Sequence, residues 1–360
     1  MQNNDFPPNL LFLPKFFHIH MKKLYALLPI LAALLVPGKA SAQMMPDSTV
    51  QIVAYWEVGD KVDYTSLKRE YDIDAEGNET QTASSSETVH FEVVAATDTS
   101  YTLKVTYDDI FDIRTSEFKL TDKELASLPN PAYLIRTDEF GSFQGIENLE
   151  EITAAFQSAA PIFSKVFERS IGNDGKEIID RLVQEITSPD AITRAVISDI
   201  TPLLYFHGAR IDTTAAYTIE EPVQGLLGAS SGPCTMPGSF WVDSELTDEY
   251  SAVIRKELHA NKEQMGPIMK SILQPMLETI SSAFTDGNEE DIEQAIDSYF
   301  DEMAQHATFA FEDSSVEEIH LETGWPINWM FDRYVTFSML GKTEGKHIAR
   351  QIRLVTEEEE

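Results

Sequence analysis

The sequence has 360 residues, 42% of them hydrophobic and 10% aromatic, which is enough to bury a substantial core. Its 27 basic and 60 acidic residues give a formal net charge of −33, which excludes nucleic acid and anionic membrane surfaces as partners, because both are bound through positive patches that displace counterions. One cysteine, Cys234, excludes an intrachain disulfide, so stability has to come from packing.

Residues 1–20 precede Met21 and include Pro7-Pro8 and His18-Ile19-His20; they read as an extension from a start assigned too early, set against metal capture by His18 and His20. Residues 21–42 have the three parts of a secretory signal: Met21-Lys22-Lys23, the apolar run Leu24 to Val36, and the small residues Ala40-Ser41-Ala42. Cleavage is expected between Ala42 and Gln43. The new N-terminus is not cysteine, so no lipid attachment is expected, and the expected location is the periplasm or the medium. The apolar run is short for an anchor, and no later stretch approaches the roughly 20 apolar residues of a membrane-spanning helix. Removing residues 1–42 takes away four lysines and Asp5, turning 27 and 60 into 23 and 59 and leaving −36. That acidity serves solubility or attracts cations and basic partners.

From Val50 to Lys119 the pattern has period two. Leu67, Arg69, Tyr71 and Ile73 alternate with Lys68, Glu70 and Asp72, and Tyr101, Leu103, Val105 and Tyr107 with Thr102, Lys104 and Thr106, as in half-buried antiparallel strands. Glu76-Gly77-Asn78-Glu79 predicts a tight turn between two strands of a long hairpin. The stretch Ala83 to Thr88 is polar on both sides and is expected at a sheet edge.

Between Ile146 and Pro202 the period becomes helical. One stripe holds Ile152, Phe156, Phe163, Val166 and Phe167 and is broken near Pro161. A second holds Ile178, Ile179, Leu182, Val183 and Ile186. A third, Ile192, Val196 and Ile200, has Ser188 as its cap and Pro189 in its first turn. Strand character returns over 210–217 and 240–258, with 224–238 as a Gly, Ser and Pro-rich loop. Two further helical stripes follow, Met265 to Phe284 and Ile292 to Met303, parted by Asp286-Gly287-Asn288. The chain closes on strands carrying Phe309, Ile319, Trp329, Phe331, Phe337, Ile348 and Ile352, with Gly324-Trp325-Pro326 and Gly341 to Gly345 as turns. The expected fold is α+β, a large curved antiparallel sheet with helices packed on one face, in a single domain over 43–356 followed by an acidic tail over 357–360.

At an offset of 149, Gly59, Asp63, Thr65, Phe91, Val93 and Tyr101 recur as Gly208, Asp212, Thr214, Phe240, Val242 and Tyr250. This is read either as two related strand-then-helix halves, 49–207 and 208–356, or as the coincidence that any two strand pairs can show.

Motifs that would carry chemistry are weak. Gly228-Ala229-Ser230-Ser231-Gly232 has the pattern of a hydrolase nucleophile elbow, but only Leu226-Leu227 precede it and Pro233 and Pro237 stand where a helix must start, so a loop is expected. Asp72-Ile73-Asp74-Ala75-Glu76-Gly77 resembles the opening of a calcium loop, yet the twelfth position is Ala83, so the hairpin turn is preferred. His90, His207, His259, His306, His320 and His347 are dispersed and are expected as surface or strand residues. Cys234 is expected as a small loop residue without the basic neighbours that activate a thiol. No catalytic residue, metal site or cofactor is expected. Met265, Met269, Ile272 and Met276, with Met303, Trp329 and Phe331, are the candidates for lining a cavity for an apolar ligand or lipid, against plain core packing.

A strongly curved sheet wrapping its helices, in an exported chain, resembles at the level of fold the half-barrel carriers of lipoproteins and lipids in the bacterial envelope; that resemblance implies a lipid site between sheet and helices. The motifs Gly59-Asp60-Lys61 and Thr323-Gly324-Trp325-Pro326 are similar to those of a family of uncharacterised exported proteins of Bacteroidota, over much of the chain; no activity follows from it. The reading is therefore an exported, non-enzymatic binder of an apolar ligand, with a structural or partner-binding envelope protein as the alternative and an enzyme third.

Overall fold

Half-apolar strands and one-sided helices each leave a face that only another layer can cover. The computed structural model describes residues 48–108, 120–171, 176–223, 234–260, 307–339 and 342–356, all within one compact unit, Ala42–Glu360. The segment expected to be a secretory signal, with Ala42 and Gln43, the motif at 228–232, the stripes over 265–303, His306 and the tail at 357–360 lie outside the described residues.

In chain order the first strands are β1 (Thr49–Gln51), β2 (Lys61–Ile73), β3 (Glu79–Thr97) and β4 (Ser100–Tyr107), followed by a single helical turn, α1 (Asp122–Leu125), then β5 (Tyr133–Asp138) and β6 (Phe143–Ile146). The helices α2 (Leu149–Ser158), α3 (Ala160–Ile171), α4 (Lys176–Ile186) and α5 (Pro189–Leu204) come next. The second run of strands is β7 (Arg210–Asp212), β8 (Tyr217–Val223), β9 (Cys234–Val242), β10 (Ser251–Ala260), β11 (Ala307–His320), β12 (Pro326–Met339) and β13 (Lys342–Leu354).

Strands β1 and β7 pair separately. The other eleven form one open, curved antiparallel sheet in the order β6-β5-β4-β3-β2-β13-β12-β11-β10-β9-β8. It consists of two meanders, joined where the last strand lies beside β2 and Gln351 faces Leu67. The fold class is α+β. Of the residues matched at an offset of 149, Phe91 and Val93 lie on β3, and Phe240 and Val242 on β9, the second strand of each meander. Gly59 and Gly208 both have positive φ, 99° and 83°.

The helices cover the first meander. Ile152, Phe156, Phe163 and Val166 are buried, and the break between α2 and α3 falls at Ala159. Pro161 then sits in the first turn of α3, where its missing N–H leaves no bond unmade. In α4 the buried stripe is narrower than the sequence implies: Ile179 and Val183 are buried, Ile178 is 56% exposed and Ile186 37%. Ser188 caps α5, its Oγ accepting from the Ala191 N–H at 3.1 Å, and Pro189 follows. Ile192, Val196, Ile200 and Leu203 of α5 join one core with Tyr64, Phe91, Val93, Leu103, Val105 and Ile135 from β2 to β5. Each such side chain contributes about 1.5–3 kcal/mol when fully buried.

A second feature fastens the two ends of the chain together. Trp56 stacks on Trp325 with centroids 4.4 Å apart and meets Tyr101 edge-on at 5.3 Å. His207, just past α5, points its Nε2 at the Gly324 carbonyl, 2.7 Å away. Gly324 has φ +74°, and a Cβ there would lie 2.3 Å from the Val53 carbonyl oxygen, so only glycine fits this turn. The two short motifs of the sequence are thus architectural: Gly59 N–H donates to the Val93 carbonyl at 2.8 Å, and the turn at Trp325 closes onto Trp56.

Three expectations need correcting. Residues 234–238 are not loop but the start of β9, where a Cβ on Gly238 would lie 2.2 Å from the Glu257 carbonyl oxygen; glycine is there to let strands approach. Cys234 is accordingly a strand residue. Ala83 to Thr88, by contrast, match the expectation of an edge: β3 is internal to the sheet, but among the described residues this stretch pairs with β2 alone, and pairing with β4 begins at Val89. Gly345 is no turn residue but faces Thr336 within β13. His207 is neither at the surface nor in a strand, being 4% exposed behind α5.

Candidate ligand cleft

The stripe that seats α5 on the first meander leaves its other side, with Ile197, Thr201 and Tyr205, looking over the second. Between that side and strands β8 and β10 to β13 lies a cleft of about 720 Å³. Two smaller cavities, about 210 Å³ and about 10 Å³, lie against the same helix. The large one falls within the range of about 300–1,000 Å³ typical of small-molecule sites. Apolar walls come from Ile197, Val223, Leu258, Trp329, Phe331 and Ile348.

The floor is not purely apolar. In β11 the alternation that buries Phe311 and Ile319 also buries Asp313, Ser315 and Glu317 between them. Register places Lys256 of β10 opposite Ser315, and Arg333 of β12 opposite Asp313. Arg333 donates two bonds to Asp313, Nε to Oδ1 at 2.8 Å and Nη2 to Oδ2 at 2.7 Å. Burial raises the pKa of Asp313, and Arg333 opposes that rise.

Two polar tethers fix α5 to this floor. Arg350 of β13 reaches Asp199 at 2.8 Å and the Ser198 carbonyl at 3.2 Å. Its guanidinium lies 5.6 Å from the Trp329 ring centroid. About 10 Å further along the helix, six to seven residues at 1.5 Å each, the Tyr205 hydroxyl donates to Glu221. Lys256 Nζ bonds the same carboxylate at 2.9 Å and sits 4.2 Å over the Tyr205 ring. Burial first, then the Glu221 carboxylate, raises the pKa of Tyr205.

Glu317 stands apart from these pairs. It lines the cleft, is 2% exposed, and among the described residues its Oε1 has no hydrogen-bond partner. Burial pushes its pKa up to about 8, against the pull of Lys256. A carboxyl so placed is protonated at neutral pH and is a hydrogen-bond donor.

Of the residues singled out from sequence, Trp329 and Phe331 lie on this wall, their rings stacked at 5.6 Å. Met265, Met269, Ile272, Met276 and Met303 are outside the described residues. Lys256, Asp313, Glu317, Arg333 and Arg350 were missed. The signal that would have found three of them is the period-two frame carried through β11 and β12, which puts Asp313, Glu317 and Arg333 in register with apolar neighbours.

The histidines divide by environment. His90 has Asp63 at 2.7 Å and Asp108 at 3.0 Å on its two ring nitrogens. His347 has Glu79 and Asp332, both at 2.9 Å, and is stacked between Tyr71 and Tyr334. The Asp108 and Asp63 bonds raise the His90 pKa; for His347, burial works to lower it and the bonds to Asp332 and Glu79 outweigh that. With both nitrogens committed to carboxylates, each ring is an ion-pair clamp across strands rather than a metal ligand. Among the described residues no group of three or more His, Cys, Asp or Glu side chains is placed to hold a metal ion, and no helix is long and apolar enough to cross a membrane. In the hairpin that resembled a calcium loop, Asp74 Oδ1 accepts from the backbone N–H groups of Glu76 and Asn78 at 3.0 and 2.8 Å, which makes it the turn's own cap.

No family model and no curated protein matches the sequence. Among solved structures, one on lipid-protein interactions in lipovitellin aligns over 83% of this chain at 11% identity and a TM-score of 0.36. This chain spans 25% of that one. OmpT, an outer membrane protein of Vibrio cholerae, aligns over 84% of this chain and 99% of its own at 7% identity and a TM-score of 0.19. An outer membrane channel from Pseudomonas putida F1 does so over 84% and 98% at 6% and 0.15. At scores this low none of them bears on what this chain does.

Proposed function

We propose that this chain is an exported, non-enzymatic binder or carrier of an apolar ligand, held between α5 and the floor of the second meander. The observation that carries the reading is the cleft of about 720 Å³, with Trp329, Phe331, Ile197 and Leu258 on its walls. Its volume suits a small amphiphile, and the buried polar row Asp313, Ser315 and Glu317 stands on the floor beside those apolar walls, as expected where one end of a ligand is apolar and the other is not. Binding rather than catalysis is supported by the pairing of Lys256, Asp313, Arg333 and Arg350, which are held in ion pairs instead of standing free as a base or nucleophile. Export is supported by the signal pattern over residues 21–42.

The test is native mass spectrometry of the protein purified from its own envelope, beside the variant Ile197→Trp, which places an indole in the cleft from the exposed side of α5. The expected result is a lipid-sized adduct on the wild type and its loss or marked reduction in the variant. A wild type that never carries an adduct refutes the reading in favour of a structural or partner-binding role.

A further inference from the structure

The class of ligand can be read from Glu317, whose Oε1 has no hydrogen-bond partner among the described residues. On a strand whose buried face also carries Phe311 and Ile319, with Ser315 and Ile319 as its nearest neighbours, an apolar residue at 317 would pack between Ile254 and Trp329, the residues opposite it on β10 and β12. A carboxyl there leaves Oε1 unsatisfied, a cost of about 1–3 kcal/mol. A bound molecule that supplied the missing partner would remove that cost.

The surrounding charges say which kind of partner fits. The cleft is lined by four basic residues, Arg194, Lys256, Arg333 and Arg350, and, beside Glu317, by three acidic ones, Glu220, Glu221 and Asp313. With Glu317 protonated and Arg350 neutralised by Asp199 just beyond the lining, the charges around the cleft balance, in a chain whose net charge is −33, so the cleft offers no excess of carboxylates to an ammonium group. This favours an oxygen acceptor over an ammonium group. Building on the ligand-binding reading above, we propose that Glu317 is the polar anchor of the cleft: its protonated carboxyl donates a hydrogen bond to the carbonyl oxygen of a long-chain acyl compound whose chain lies along Trp329, Phe331 and Ile197. Free fatty acids and acyl esters share that chemistry. Its raised pKa, about 8, keeps the donor in place through neutral pH.

Groups that face Glu317 or share its floor also bear on any pH effect. They are Lys256 on β10, Asp313 on its own strand, Tyr64 on β2 and Arg333 on β12, with Arg350 on β13, Glu220 and Glu221 on β8, and Arg194 on α5 beyond them. The test must therefore isolate the carboxyl itself. Delipidated full-length protein is titrated calorimetrically with monolaurin, laurate and dodecylamine, at about pH 6.5 and about pH 9.5, in the wild type, Glu317→Gln and Glu317→Leu. Melting curves check that each is folded. The wild type is expected to bind monolaurin at the lower pH and at least about tenfold more weakly at the higher. Glu317→Gln, whose amide donates at any pH, is expected to bind monolaurin equally at both. Glu317→Leu is expected to bind about tenfold more weakly at the lower pH; should it not fold, the pH profile of Glu317→Gln decides alone. Laurate binding with or without monolaurin binding tells a free acid from an ester. Dodecylamine binding most tightly, a Glu317→Gln profile that follows the wild type, or a folded Glu317→Leu of unchanged affinity would overturn the anchor while leaving a binding cleft. A wild type that binds none of the three probes overturns both.

Discussion

His207 offers the sharpest test of how this fold is held, because it is a buried base whose charge state couples stability to pH. It is 4% exposed, its Nε2 lies 2.7 Å from the Gly324 carbonyl, and its Nδ1 has no partner among the described residues. Nε2 must therefore carry the proton and Nδ1 must be bare. Burial lowers its pKa to about 4, from 6.5 in an unfolded chain. For a base depressed on folding, the unfolded state binds more protons between those values, so stability is full above about pH 6.5 and is lost as pH falls towards 4. The difference of about 2.5 units, at about 1.4 kcal/mol each, amounts to about 3 kcal/mol. The perturbation is His207→Gln, which retains an N–H for the Gly324 carbonyl and cannot titrate. Urea unfolding is followed by tryptophan fluorescence, since Trp56 and Trp325 stack beside the histidine. Wild type and variant are compared from about pH 7.5 to about pH 4. The carboxylates titrate alike in both proteins, as do His90 and His347, whose raised pKa values act in the opposite sense, so the difference between the two curves isolates His207. That difference is expected to move by about 3 kcal/mol in favour of the variant as pH falls. Parallel curves would show that His207 is solvated or charged in the folded state and would refute the reasoning.

Three other outcomes follow from named contacts. Glu317→Gln removes a carboxyl whose folded pKa is raised; wild-type stability is full below about pH 4.5 and declines as pH rises towards about 8, so the variant should match the wild type near pH 5 and exceed it by up to about 4–5 kcal/mol above pH 8, read from urea midpoints. Arg333→Met leaves Asp313 buried without its cation and should cost about 3–5 kcal/mol, whereas the double variant with Asp313→Leu should recover much of it in a double-mutant cycle. Trp325→Ala empties the stack on Trp56 and should cost about 3–5 kcal/mol in the same assay; a loss below 1 kcal/mol would mean that the turn does not bind the chain's ends together.

Local chemistry written in adjacent residues was readable before any coordinates. Ser188 and Pro189 announce the start of α5, Pro161 the break before α3, and Glu76-Gly77-Asn78 the hairpin, because each depends on neighbours within a few residues. Period two and the apolar stripes placed most of the described strands and the helices α2 to α5 for the same reason. Composition misled where a residue type has two uses. Pro237 and Gly238 read as loop, yet the glycine admits the close approach of Glu257 from a strand almost twenty residues later. What only tertiary structure decided is every property set by residues far apart in the chain. Pairing of β13 with β2 joins the two meanders into one sheet, and the register of β10, β11 and β12 turns the charged residues Lys256, Asp313 and Arg333 into the floor of a cleft. Glu317 is an ordinary acidic letter in the sequence. Its pKa is raised because it is buried on the sheet face opposite Ile254 on one side and Trp329 on the other, 63 and 12 residues away, where its charged form loses solvation.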